Sequence, residues 1–96
     1  MYRLFAAHLA RDGITVNNIL TGGILTERNR SYWQWLASQR GQTVEEVTAG
    51  VRAATPLRRQ GEPEEMAALV AFLCSAKAAH ITGQSIPVNG GGSRHL

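Results

Sequence analysis

Gly13 to Thr26 reads GITVNNILTGGILT. An apolar run from Ile14 to Leu20 leads into Thr21-Gly22-Gly23, the pattern of a strand feeding a glycine turn. Glycine at such a turn lets the backbone come close to a ligand. The run is apolar at both parities, with Ile14, Val16 and Leu20 on one and Ile19 on the other. A strand of that kind is expected to be covered on both faces, as in a parallel sheet. Asn17 and Asn18 interrupt it, and each needs a partner if buried.

Outward from this stretch the chain is helical on both sides. Tyr2 to Arg11 carries Leu4, Phe5 and Leu9 at near-helical spacing, and Gly13 suits a C-terminal cap. No N-cap sequence stands before this helix, which points to something upstream of it. Ser31-Tyr32-Trp33-Gln34 has capping-box form, so a helix is expected over Tyr32 to Gln39, ended by Gly41. Thr43-Val44-Glu45-Glu46 is a second capping box, and Val44, Val47 and Val51 share one face of a helix that must stop near Pro56. A loop, Leu57 to Gly61, precedes Glu62-Pro63-Glu64-Glu65, which opens the next helix. Met66, Leu69, Val70 and Leu73 follow at i, i+3, i+4 and i+7. After a turn at Ala79 to Gly83, Gln84 to Val88 reads as a second strand. Pro87 cannot donate to a ladder and places that strand at a sheet edge.

The order helix, strand, three helices, strand implies a crossover between parallel strands. Two parallel strands are not a complete architecture, so the pattern asks for more sheet and another helical layer. At 96 residues the chain is one small domain at most, able to bury only about 60–65% of its unfolded surface. The net charge is +3, and only Arg58-Arg59 are adjacent basic residues. With no basic stripe between aromatics, nucleic-acid binding is not expected. MYRLFAAHLARDG does not read as a signal peptide and no stretch reads as a membrane span, and the single cysteine, Cys74, fits a reducing compartment, so a cytoplasmic setting is expected. Cys74 ends an apolar helix and is expected to be a buried, inert thiol. His8, His80 and His95 have no metal-ligand spacing. Arg58 and Arg59 are expected to pair with Glu62, Glu64 or Glu65 rather than with an acidic partner.

Three segments resemble one family. GITVNNILTGGILT, PLRRQGEPEEMAALVAFLCS (Pro56 to Ser75) and HITGQSIPVNGG (His80 to Gly91) are similar, in order and spacing, to segments of short-chain dehydrogenases/reductases. SQRGQTVEEV (Ser38 to Val47) further resembles the 3-oxoacyl-(acyl-carrier-protein) reductases among them. The resemblance covers about residues 5–92. It implies an α/β fold, the C-terminal part of a Rossmann-type doubly wound parallel sheet, with residues 1–96 a single partial domain. The elements would be the sixth strand, substrate-lid helices, a further helix and an edge strand.

The family's activity is hydride transfer between NAD or NADP and a carbonyl or alcohol substrate. Its glycine fingerprint, T-G-x-x-x-G-x-G, has no counterpart here, and Gly90-Gly91-Gly92 follows the last strand with no helix after it. Its catalytic Ser and Tyr-x-x-x-Lys pair are also absent; Tyr2 is followed four residues later by Ala6. No catalytic residue is therefore assigned, and the chain alone is expected to be inactive. By the same resemblance, Gly22, Ile24 and Thr26 would face the nicotinamide end of the cofactor. Trp33, Trp35 and Leu36 would line a substrate pocket. Thr21 stands where the family has proline, and Asn89 where it has aspartate. A homo-oligomer through Pro63–Ser75 and Gln84–Val88 is implied. A stand-alone interaction module without catalysis is the alternative.

Overall fold

A computed structural model describes residues 1–92. The helices are α1 (Tyr2–Ala10), α2 (Glu27–Arg40), α3 (Val44–Ala54) and α4 (Pro63–Leu73), with a short 3-10 turn at Ala76–Ala78. The strands are β1 (Asn18–Thr21) and β2 (Ser85–Val88). They pair in parallel, Asn18 opposite Ser85 through Thr21 opposite Val88, as the crossover requires.

The first strand begins four residues later than the apolar run. Opposite Val16 the chain turns at Gly83, whose φ is 71°, and this bends it out of ladder geometry. The contacts there are of another kind. Val16 N–H donates to Thr82 Oγ1 at 3.0 Å, and Gly83 N–H to the Val16 carbonyl at 2.8 Å. Asn17 finds the partners its polarity demands: its side-chain nitrogen donates to the Ile81 carbonyl and its oxygen accepts from Gln84 N–H, both at 3.1 Å.

Helix α2 starts five residues before the expected Tyr32. Thr26, in extended conformation, is its N-cap and accepts from Asn29 N–H at 3.2 Å. The capping-box pattern at Ser31 therefore falls inside a helix already under way. Gly41, in the left-handed region at φ 64°, ends it. The second expected box is present: Thr43 Oγ1 accepts from Glu46 N–H at 3.1 Å, and Glu46 reaches back to Thr43 N–H at 3.4 Å. This fixes the start of α3, which stops at Thr55, one residue before Pro56. The two helices pack through Trp33, Ala37 and Val47, flanked by Leu25, Leu36 and Val51.

Elsewhere the apolar faces are open. Leu4 is 74% exposed on α1, and Ile14 and Leu20 are 46% and 47% exposed, so the expected cover on both faces of the first strand is not supplied by these residues. Helix α4 buries none of its side chains. For the same reason Cys74 is exposed, contrary to the expectation of a buried thiol. The radius of gyration is 16.9 Å, against about 12–13 Å for a compact chain of this length. The accessible surface is 7228 Å², against about 5,400 Å² for a folded monomer of this mass.

The loop between α3 and α4 contains two arginines in different circumstances. Arg59 pairs bidentately with Glu65 at 2.6 and 2.9 Å. Arg58 bonds no carboxylate among the described residues; its guanidinium donates to the Ala53 carbonyl at 3.3 Å, and its φ is 61°. A side chain in that region costs about 1–2 kcal/mol relative to the right-handed form. Arg58→Gly is therefore expected to raise the stability of the chain by up to about 1 kcal/mol, read as a higher thermal midpoint; an unchanged or lower midpoint would refute the strained turn.

The Arg59 guanidinium, and after it the Glu62 N–H, hold the Glu65 carboxyl at about 2, below its usual 4.5. A carboxyl depressed in the fold stabilises it above the unfolded value and loses that contribution as the pH falls through the folded value. Acid titration of wild type and Glu65→Gln should converge between pH 4.5 and 2, with wild type the more stable above that window. Parallel curves would contradict the pair's contribution.

Candidate functional site

The glycine turn sits where β1 ends. Gly22 N–H donates to the Val88 carbonyl at 3.0 Å, extending the ladder one step past Thr21. A Cβ on Gly22 would lie 2.5 Å from Asn89 Cβ and 2.7 Å from Asn89 Cα. The close approach that demands glycine here is thus to the end of β2. The chain next pairs with the loop before α4: Gly61 N–H donates to the Gly23 carbonyl and Leu25 N–H to the Gly61 carbonyl, both at 2.9 Å. A Cβ on Gly61 would stand 2.8 Å from Ile24 Cδ1. Ile24 is held in this bridge and is 6% exposed.

From Ile24 to Asn29 the backbone winds into α2 through a closed set of bonds. The Ile24 carbonyl accepts from Thr26 N–H at 2.9 Å and from Asn29 Nδ2 at 2.7 Å. Thr26 Oγ1 accepts from Asn29 N–H, which leaves its hydroxyl proton to be donated elsewhere. Ile24 N–H has no partner among the described residues. The result is a carbonyl already doubly bonded beside one free amide N–H and one free hydroxyl proton, at the positive end of a 14-residue helix.

These groups open on a cleft of about 480 Å³ lined by Gly22, Ile24, Thr26, Arg28, Tyr32 and Met66, among others. Gly22, Ile24 and Thr26, expected to act together, are together. Arg28 is the one charged side chain on the wall among the described residues. The donors that remain suit an acceptor such as a carboxamide oxygen or a phosphate oxygen, so the residues present fit the nicotinamide end of a dinucleotide. The cleft lies beyond the carboxyl end of β1, where parallel sheets bind ligands.

The three expected substrate residues are placed differently from one another. Trp33 is 6% exposed in the seam between α2 and α3, and Leu36 flanks the same seam. Trp35 is 56% exposed and stacks on Tyr32, ring centroids 6.1 Å apart, which brings it to the margin of the cleft. The sequence reading did not single out Asn29. Its signal was the T-x-x-N spacing, in which the third residue after a capping Thr is a side chain able to reach back. The late helix start concealed it. Among the described residues no three His, Cys, Asp or Glu gather as a metal site; His95 lies outside them. No helix there is long and apolar enough to cross a membrane.

A family model described as enoyl-(acyl carrier protein) reductase matches residues 1–93. The chain is 36% identical to dehydrogenase/reductase SDR family member 4 of Bos taurus over 91 residues, 95% of this chain and 29% of that protein. It is 40% identical to the 3-oxoacyl-(acyl-carrier-protein) reductase FabG of Vibrio cholerae over 86 residues, 90% of this chain and 31% of that protein. Among solved structures, a short chain dehydrogenase family protein from Francisella tularensis superposes with a TM-score of 0.93 at 34% identity, over 99% of this chain and 39% of that one. The L-sorbose reductase of Gluconobacter frateurii, solved with NADPH and L-sorbose, gives 0.88 at 30% identity, over 99% of this chain and 36% of that one. The chain thus spans about a third of the length of its relatives. Its helices and parallel strand pair are the C-terminal part of their Rossmann-type sheet, and it belongs to the short-chain dehydrogenase/reductase family.

Proposed function

We propose that this chain supplies the nicotinamide-facing turn of an NAD(P)-dependent oxidoreductase that interconverts a carbonyl and an alcohol on a small molecule. The observation that carries the reading is the pair of donors left without partners among the described residues, Ile24 N–H and Thr26 O–H, on two residues that line the cleft beyond β1. Ile24 N–H would donate to the carboxamide oxygen, and the Thr26 hydroxyl to the carboxamide or to phosphate. Gly22 sets the turn that presents them. Bound NAD or NADP would supply the hydride chemistry. Asn29 fixes the turn by bonding both Ile24 and Thr26, so the donors are held before any ligand arrives, which lowers the ordering cost of binding. Trp35, with Tyr32, would meet the substrate, while Trp33 and Leu36 support that surface from the α2–α3 seam. Residues 1–96 form one partial domain in this reading, and a cytoplasmic setting fits the single exposed thiol of Cys74.

Association of copies through α4 and β2 belongs to the same reading. Val70 and Phe72 on α4 are 45% and 43% exposed, and among the described residues each strand of the two-stranded sheet keeps one unpaired edge. Light scattering on the purified chain should give a mass above the 10.4 kDa monomer; a clean monomer across concentrations would remove this part.

The cofactor reading is tested by NADPH titration of the protein that carries this chain, following nicotinamide fluorescence. Thr26→Ser keeps both the cap and the hydroxyl and should bind like wild type. Thr26→Val loses both and should weaken binding by about tenfold, one hydrogen bond's worth. Equal affinity of the two variants would overturn the assignment of Thr26.

A further inference from the structure

The Ile24 carbonyl beside the cleft is already fully used. It accepts from Thr26 N–H at 2.9 Å and from Asn29 Nδ2 at 2.7 Å, and a carbonyl oxygen has two lone pairs. Ile24 therefore offers a donor and no acceptor. A carboxamide has both an accepting oxygen and a donating NH2 group. Ile24 N–H can answer the oxygen. The NH2 group needs an acceptor on another residue.

Asn29 carries one. The 2.7 Å approach to a carbonyl oxygen identifies the nitrogen end of its amide, because two acceptors at that distance would repel. The other end, Oδ1, accepts no hydrogen bond among the described residues. It is also accessible. Asn29 is half-buried, and among the described residues that are not exposed the enclosed side-chain atom left without a partner is Gln60 Nε2. Asn29 borders the cleft together with Ile24 and Thr26. Its bond to Ile24 ties the side chain down, so the oxygen is offered with little further ordering. Thr26 Oγ1 is the rival acceptor. It already accepts from Asn29 N–H at 3.2 Å and keeps one lone pair, whereas Asn29 Oδ1 keeps two.

We propose that Asn29 is a further cofactor-binding residue, whose Oδ1 accepts from the NH2 group of the nicotinamide carboxamide. The inference rests on the NAD(P) reading of the cleft and adds to it a contact that Gly22, Ile24 and Thr26 do not supply. One side chain then has two separate jobs: Nδ2 holds the turn, and Oδ1 reads the ligand.

The test separates those jobs on the protein that carries this chain. Calorimetric titration compares NADP+ with its 3-acetylpyridine analogue, in which a methyl group replaces the NH2 and the oxygen is kept. The corresponding NAD+ pair is run alongside. Wild type should bind the analogue about tenfold more weakly, because the methyl group leaves Oδ1 without its donor. Asn29→Ala should bind both members of the pair weakly and with nearly equal affinity. Asn29→Asp loses the donor to Ile24 but keeps an acceptor, so it should bind both more weakly than wild type and still discriminate. Thr26→Val removes the rival oxygen and should also still discriminate. Each readout is a ratio of two affinities on one preparation, so a general loosening of the turn cancels. Equal affinities in wild type, full discrimination by Asn29→Ala, or its loss in Thr26→Val would overturn the proposal and leave the cofactor reading standing. Absence of saturable binding by either pair would remove the cofactor reading and this contact with it.

Discussion

The parallel pairing of β1 with β2 is the constraint on which everything else rests. It joins residues 67 positions apart, beginning with Asn18 opposite Ser85. The ladder then runs past the strand ends into the glycine turn, through Gly22 to Val88 and, by a second bridge, through Gly23 and Leu25 to Gly61. Ile24 is thereby held between two backbone partners, and the cap at Thr26 follows directly from its position. Removing the ladder would leave the turn as a flexible glycine loop, with its donors free to wander.

Most of this was readable from the residues, and the errors have a common cause. The parallel strands, the capping box at Thr43 and the left-handed Gly41 follow from local chemistry: a crossover, a reciprocal pair of hydrogen bonds, a residue without Cβ. The start of β1 was misjudged because a strand is defined by its partner. Nothing in Ile14 to Asn17 reveals that Gly83 turns the opposite segment away. The start of α2 was misjudged because two plausible caps compete, and the Asn29 contact to Ile24 that favours Thr26 is tertiary in origin. Burial was overestimated at Leu20 and Cys74 by the same logic. Apolar patterning shows that a face is suited to cover, and the cover must come from elsewhere. The side-by-side placement of Gly22, Ile24 and Thr26 was legible in the motif; the sorting of Trp33 into the seam and Trp35 onto the margin was not, since both lie on one short helix.

The distribution of order within the chain is uneven. The α2–α3 pair has its own small core around Trp33 and Val47, and its first helix contributes the lip of the cleft. Helices α1 and α4 flank the sheet with apolar side chains facing outward. The excess surface and extended dimensions, 55 by 24 by 22 Å, measure how much of the hydrophobic effect these residues leave unused. That arrangement suits a piece of sheet whose neighbours complete it, as in relatives about three times its length.

The 67-residue separation of the paired strands also sets an order of events during synthesis. The α2–α3 hairpin needs only nearby residues and can close while the chain is still being made. The turn around Ile24 cannot take its final shape until Val88 has left the ribosome, because the bond that anchors Gly22 comes from there. Long-range parallel pairing forms slowly and late. The turn that borders the cleft is therefore among the last parts of this polypeptide to be organised, so a ribosome stalled before residue 88 would hold a folded helical hairpin attached to an unformed cleft lip.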